Sequence, residues 1–285
     1  MTVGDWLETW IALYVRPSGL AVSTKACYNR AVQSVPESLR SRDMQTITPL
    51  DLMPWLCEVA RTHPRAAQLD RAMLSKSFRL AHKLGLCHGC IIDADTLPKP
   101  PHAPAKAAVL RLDEVRRYVA AAGSSPLFPL LMLCLCGLRR GEALGARWED
   151  LDGNVLHVQR QRIRVERQYR VTALKSGHAM RELELPQLLV EDLRRRRRDI
   201  AGWICDTTPE RLHTEHRRAM KRAGLEGVTL HGLRHTFAAQ AAAQGETMKH
   251  LQTALGHARM ALTADLYADH SDPLSALPAR VWRGL

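Results

Sequence analysis

Three stretches of this 285-residue chain set reactive side chains at short, regular spacings: CGLRRGEALGARWEDLD from Cys136 to Asp152, HGLRHTFAAQ from His231 to Gln240, and LGHARMALTADLYADH from Leu255 to His270. His231 and Arg234 stand three apart on a predicted helix, so both side chains lie on one face and can reach one site. The apolar run FAAQAAA that follows needs a buried face, which leaves the polar N-terminal end of the helix exposed. Unpaired backbone N–H groups and the helix dipole at that end suit an anion such as phosphate. Taken alone, a pair of this kind serves more often as a surface or capping feature. Tyr267 follows Thr263, a helix-cap residue, and by itself reads as an amphipathic ring packed on the preceding helix. Cys87 and Cys90 form a lone C-x-x-C around His88, without the second pair that a zinc site wants. The 13 histidines are dispersed and form no H-E-x-x-H signature. Neither metal nor cofactor is expected.

In their order and spacing the three stretches resemble the tyrosine recombinase family, also called phage integrases. The family pattern is an Arg just after Gly-Leu with an acidic residue three later, then H-x-x-R-H, then Leu-Gly-His followed about ten residues on by Tyr. The resemblance implies that Tyr267 attacks the scissile DNA phosphate, forming a 3′-phosphotyrosine and releasing a 5′-hydroxyl. A phenol has a pKa of about 10, so cations and a proton acceptor must assist it. Arg139 and Arg234, at matching positions, can present planar forks of donors to the non-bridging oxygens. They would do the work of a metal ion, and no carboxylate cluster is present to bind one. Lys175 lies where the family has its β-hairpin lysine, the general acid toward the 5′-oxygen. His231 and His257 match the two histidine positions, with roles in hydrogen bonding the phosphate and in proton transfer. Which of the two is the better base stays open. Arg139 is preferred to Arg140 because it directly follows Leu138 and has Glu142 three residues on. Glu142 suits orienting an arginine or capping the fold, and His235 suits a structural partner.

These side chains need a scaffold. Before residue 97 the patterns are helical: Trp6, Trp10, Ile11 and Leu13 in a first helix, Ser23 or Thr24 capping a second through Val35, Thr48 opening a third, and a fourth from Ala66 to Leu84. LPKPPHAPAKA, with four prolines from residue 97 to 107, favours extended backbone and marks a boundary. Beyond it, helices are expected at Asp113–Ala122, Leu127–Cys136 and Arg140–Ala146. Period-two alternation around Val155, Ile163, Tyr169 to Leu174 and Arg181 to Leu185 predicts a small antiparallel meander. From Pro186 onward the patterns are helical again. Arg194 to Arg198 point all round one of those helices and read as a solvated basic face. The expected fold class is mostly α with a small antiparallel β-sheet (α+β). The family resemblance implies a helical core-type DNA-binding domain (1–97), a linker (98–107) and a catalytic domain (108–285). The apolar Leu274, Leu277, Val281 and Trp282 at helical spacing predict a C-terminal tail that docks on a neighbouring protomer.

Charge and composition agree with a nucleic-acid partner. There are 41 Lys and Arg against 29 Asp and Glu, a formal net charge of +12, and phosphate neutralisation dominates nucleic-acid affinity. A basic excess also serves solubility alone. The N-terminus lacks a basic leader, and the longest apolar run, Pro126 to Cys136, is too short to span a bilayer. A cytoplasmic, nucleoid-associated protein with reduced thiols is expected. The first helix starts almost at Met1, so no additional arm-site-binding domain is expected. The family resemblance further implies double-stranded DNA as partner, a homo-tetramer on two sites, a Holliday-junction intermediate, and an accessory directionality or host DNA-bending factor. Two other readings share the fold: a non-catalytic DNA-binding paralogue and a type IB topoisomerase-like relaxing enzyme. All six polar positions carry competent residue types, which disfavours the first.

Overall fold

The computed structural model describes residues 1–88, 92, 96, 108–165, 168–174, 180–197, 201–256 and 274–285. Helix α1 (Val3–Trp10) opens on a capping box in which Thr2 and Asp5 exchange side-chain and backbone hydrogen bonds, and it runs on into a π-helical turn, Ile11–Val15. That wider turn delays the inward face by one residue. Val15 is therefore buried, and Leu13, grouped by its spacing with Trp6 and Trp10, is 64% exposed. Helices α2 (Val22–Ser34), α3 (Glu37–Arg40), α4 (Pro49–Thr62) and α5 (Pro64–Lys83) follow. The cap of α2 is Ala21, without a side-chain bond, so Ser23 and Thr24 fall inside the first turn instead of preceding it. Trp6, Leu7, Leu52, Met73, Leu74 and Phe78 centre a core of their own, which Cys87 joins. The chain divides into two compact units, Met1–Ala105 and Lys106–Leu285. The Pro-rich stretch, residues 97–107, and Cys90 lie outside the described residues.

The second unit is built around α7 (Phe128–Leu135), every residue of which is buried. It touches α6 (Leu112–Ala122), α8 (Arg140–Leu144), α9 (Gln187–Arg196), α10 (Pro209–Arg222) and α11 (Leu230–Ala243), while α12 (Met248–Leu255) and α13 (Leu277–Val281) close on α11. Strands β1 (Leu151–Asp152), β2 (Val155–Val158) and β5 (Arg181–Glu184) pair antiparallel, and β6 (Leu274–Ser275) adds to β5 in parallel, giving the order β1-β2-β5-β6. Strands β3 (Arg160–Val165) and β4 (Gln168–Ala173) form a separate hairpin, so the predicted continuous meander is corrected to a sheet plus a hairpin. The cause is composition. Leu156, Val158 and Leu183 give β2 and β5 a buried face, whereas β3 and β4 carry four arginines and too few apolar residues to enter the core.

The hairpin is held by other means. Its backbone lies so close to α8 that a Cβ on Gly145 would stand 3.1 Å from backbone atoms of Gln161 and Arg162. Arg147 and Arg162 both stack on Trp203, with guanidinium-to-ring distances of 4.4 and 4.9 Å, and Arg162 also lies 5.1 Å from the Tyr169 ring.

Helix α11 is fixed from three sides. The Thr229 hydroxyl caps it by accepting from the Gly232 N–H at 3.0 Å. The Thr236 hydroxyl accepts from the Leu110 N–H at 3.0 Å, which lays the start of the second unit along the helix. Behind it, the buried His216 ring lies 2.9 Å from the Val228 carbonyl through Nε2 and 3.0 Å from the Tyr118 hydroxyl through Nδ1. The carbonyl can only accept, so Nε2 carries the proton and Nδ1 accepts from tyrosine.

The tail belongs to this core. Leu277, Val281 and Trp282 are buried in their own chain, and the Trp282 indole donates to the Leu135 carbonyl at 3.0 Å. Docking these residues on a neighbour requires the tail to leave that core. Trp282→Ala should lower the unfolding free energy by about 3–5 kcal/mol, as for other buried tryptophans, measured by urea unfolding.

Burial holds His216 below the usual imidazole pKa, against the raising effect of its bond to Val228. The unfolded chain takes up this proton near the ordinary value of about 6.5 while the folded chain does not. The residue therefore contributes stability that is intact above that value and is lost as pH falls through the lowered folded value. His216→Gln should cost about 1–3 kcal/mol near neutrality, yet lose less further stability than wild type on going to about pH 5. Parallel urea titrations at the two pH values check this, and an unaltered acid slope would contradict it.

Candidate active site

Gly137 ends α7 with φ +93, and a Cβ there would lie 2.8 Å from a ring carbon of Phe237, so only glycine fits. The turn it makes aims its carbonyl at Arg234, which donates to it through Nη1. Two residues on, Arg139 caps α8. Its backbone N–H donates to Glu142 Oε2 at 2.9 Å and its Nη1 to Glu142 Oε1 at 2.7 Å. The capping and orienting roles open to Glu142 are thus filled together.

The C-terminal end of α12 meets these residues. Gly256 caps it in the left-handed region, φ 62, leaving the last carbonyls of the helix pointing into the cluster. Arg234 Nη2 donates to the Leu255 carbonyl at 2.7 Å, Arg139 Nη2 to that of Gly256 at 3.2 Å, and Arg181 Nε, from the head of β5, to that of Ala254 at 2.7 Å. Arg181 Nη2 also donates to Glu142 Oε2 at 2.9 Å. Three guanidiniums therefore surround one carboxylate and one helix C-terminus, whose partial negative charge favours cations.

Burial differs across the cluster. The Arg139 side chain is 37% exposed, those of Arg181 and Glu142 only 2% and 1%, and Arg234 is buried. Burial, then the charge of Arg139, pulls the Arg234 pKa down to about 9, which still leaves it a cation at neutral pH. For Glu142 burial opposes ionisation, but the charge and hydrogen bond of Arg181 and the bonds from Arg139 outweigh it and hold the carboxyl below its usual value.

His231 sits in the first turn of α11, exposed, with its ring edge-on to that of His235 at 4.8 Å. Partial burial of the ring, then the charges of His235, Arg234, Arg139 and Arg140, lower its pKa. At neutral pH it is an imidazole with one donor and one acceptor nitrogen, the state a proton-transfer role requires.

Of the site residues read from the sequence, the structure brings Arg139, His231 and Arg234 to one place, while Lys175, His257 and Tyr267 lie outside the described residues. The sequence reading missed Arg181. The signal was there, because strand alternation puts Arg181 in phase with Leu183 and Leu185, on the inward face. Among the described residues, no group of three or more His, Cys, Asp or Glu is placed to hold a metal ion, and no helix is long and apolar enough to cross a membrane.

Comparison with known proteins places this geometry. Over residues 108–273 the chain matches the model of the phage integrase family. It is 26% identical over 274 residues to a putative prophage phiRv2 integrase of Mycobacterium tuberculosis, covering 89% of this chain and 71% of that protein. It is 25% identical over 189 residues to a XerC-like tyrosine recombinase of Caldanaerobacter subterraneus, covering 54% of this chain and 48% of that one. Its fold is similar to that of the Tn1549 transposon integrase in complex with transposon right-end DNA, with a TM-score of 0.72 at 18% identity over 95% of this chain and 96% of that one. A lambda integrase tetramer bound to a Holliday junction gives a TM-score of 0.72 at 21% identity, over 95% of this chain and 80% of that one. The match spans more than half of the sequence and includes every residue of the arginine cluster, and the chain belongs to the phage integrase family.

Proposed function

We propose that this chain is a site-specific DNA recombinase that cleaves and rejoins strands through a 3′-phosphotyrosine, serving integration and excision of a mobile element. The observation that carries the reading is the arginine cluster itself: among the described residues Arg139, Arg181 and Arg234 gather about the Glu142 carboxylate and the C-terminal end of α12, a cationic place suited to a phosphodiester. Arg139, at the rim, reaches a non-bridging oxygen with its planar fork, and Arg234 forms the cationic floor. Both are held by protein acceptors before DNA arrives, so little reorganisation is needed as charge grows in the transition state.

The Tyr267 oxygen attacks phosphorus, the bond to the 5′-oxygen breaks, and Lys175 gives that oxygen a proton. The reverse attack by the 5′-hydroxyl of a partner strand releases the tyrosine. His231 and His257 hydrogen-bond the phosphate and share the proton lost by the phenol. No external energy source is needed, because the phosphotyrosine conserves the diester bond. Both units take duplex DNA as partner, and four copies on two sites exchange strands in pairs through a Holliday junction. An accessory directionality or DNA-bending protein selects between integration and excision. The tetramer and the junction are carried over from the lambda integrase assembly, and the rest from family membership and the cluster.

Tyr267→Phe should bind its site with unchanged affinity and form no covalent adduct on a nicked suicide duplex; a trapped protein–DNA band from the variant would reject Tyr267 as nucleophile. Arg139→Ala and Arg234→Ala should each slow cleavage by about 10²–10³-fold, the usual effect of removing a transition-state donor. Wild-type cleavage should proceed at full rate in excess chelator, and loss of adduct under those conditions would show that a metal ion takes part. Adduct formation with DNA relaxation, but no exchange between two sites, would point to a topoisomerase-like enzyme.

A further inference from the structure

We propose that Arg181 is a positioning residue for strand cleavage, acting on Arg139 through the Glu142 carboxylate and on the Leu255–Gly256 turn through the Ala254 carbonyl. The inference rests on the reading of Arg139 as a phosphate ligand. Arg181 opens β5 on the same face as Leu183 and Leu185, and its side chain is almost wholly buried. Placing a guanidinium there carries a heavy desolvation penalty unless its donors are satisfied. Stability alone does not call for it, because a buried ion pair is commonly replaced by apolar residues of similar volume without loss.

An apolar residue could not keep an ionised carboxylate in place. Glu142 Oε2 accepts from both Arg181 Nη2 and the Arg139 backbone N–H, each at 2.9 Å, which leaves Oε1 aimed at Arg139 Nη1 at 2.7 Å. The carboxylate is thereby locked by donors from two elements, and it in turn locks the rotamer of Arg139. Among the described residues, the charged and titratable groups facing Glu142 are Arg139, Arg181, Arg234 from α11 and the Cys134 thiol from α7, which burial pushes up to about 12 and so keeps neutral.

The same strand controls a second approach to the site. Arg181 donates to the Ala254 carbonyl on one side, and on the other β5 pairs in parallel with β6, Glu182 opposite Leu274. Residues 257–273, which include His257 and Tyr267, join these two anchor points in sequence. The described residues on either side of it, Ala254 and Leu274, are both held against β5.

The test is single-turnover cleavage by the full chain on a nicked suicide duplex bearing the recombination site from the DNA bordering its gene. Rates are measured at saturating DNA across a pH series for wild type, Arg181→Lys, Arg181→Met, Glu142→Gln and the Arg181→Met/Glu142→Gln double variant. Arg181→Met should cleave about 10–100-fold more slowly at neutral pH, the scale expected for a misplaced reacting group, with DNA affinity unchanged. Its acid limb should move to higher pH than that of wild type, because Glu142 deprived of Arg181 takes up a proton more readily. The double variant, with no group to titrate there, should return the limb to its wild-type position and cleave no more slowly than Glu142→Gln alone. Arg181→Lys, which keeps the charge, should keep the wild-type profile at an intermediate rate.

An unmoved acid limb in Arg181→Met, or a double-variant defect equal to the product of the two single defects, would overturn the inference. If Arg181→Met fails to fold, the double variant, which removes the Arg181 and Glu142 charges together, decides by its rate relative to Glu142→Gln. If wild type forms no adduct, or Tyr267→Phe still forms one, the reading of the site itself fails. An adduct in wild type alone, with unaltered pH profiles, removes only the role of Arg181.

Discussion

One carboxylate makes it possible for three guanidiniums to occupy one pocket. Arg139, Arg181 and Arg234 repel one another, and burial deprives two of them of most of their hydration. Glu142 offsets part of that repulsion by binding Arg139 and Arg181 directly. The carbonyl end of α12 offsets more, since each arginine donates to one of its last three carbonyls. Among the described residues the cations of the cluster outnumber its carboxylates, and under the proposed function that excess is what suits the site to a phosphate. A pocket neutralised by a second carboxylate would be more comfortable without DNA and would have no electrostatic reason to hold a phosphate. The cost of gathering the cations is met during folding and does not recur in the reaction.

The scaffold explains why the cluster holds its geometry. Four elements distant in sequence supply the partners, α8 both Arg139 and Glu142, β5 Arg181, α11 Arg234 and α12 its last carbonyls, and α7 fixes α8 and α11 by being buried along its whole length. Helix α11 has to meet two opposed demands: its first turn must expose His231 while Leu230 and Leu233 are buried, and its second turn must carry the charged Arg234 into the core. Thr229 satisfies the exposed end, and the Gly137 carbonyl meets the buried one. The His216 bridge between Tyr118 and Val228 ties the loop that launches α11 to α6 and α10, so the helix cannot slide along its axis without breaking buried hydrogen bonds.

Much of this could be read from residue types and spacing. The helices of both units, the strand character around residues 155–185, and the pairing of His231 with Arg234 on one face all follow from local periodicity, and the ordered motifs identified the family. Misreadings arose wherever a non-local term decided the outcome. A π turn moved Leu13 outward, and an arginine-rich hairpin without an apolar face could not extend the sheet. That the tail residues are buried within their own chain was likewise not legible, because nothing local shows that Trp282 has an acceptor at Leu135. Arg181 was overlooked for a related reason: an arginine in a strand reads as an outward residue until its phase is compared with that of the leucines beside it.

The net charge of +12 and the buried cluster answer different physical needs. Charges on the surface act at long range through water, so they are screened over roughly 8–10 Å at moderate ionic strength and their work on DNA is lost as salt displaces the counterion balance. Under the proposed function the cluster acts at hydrogen-bond distance, with Arg181, Arg234 and Glu142 buried where ions in solution hardly reach them. Salt should therefore separate the two: it weakens capture of the duplex while leaving the chemical step of the bound complex nearly unchanged. Composition alone could announce the first function. The second depends on a few cations whose positions are set by a carboxylate, a glycine turn and the end of a helix, and no count of basic residues distinguishes them from the rest.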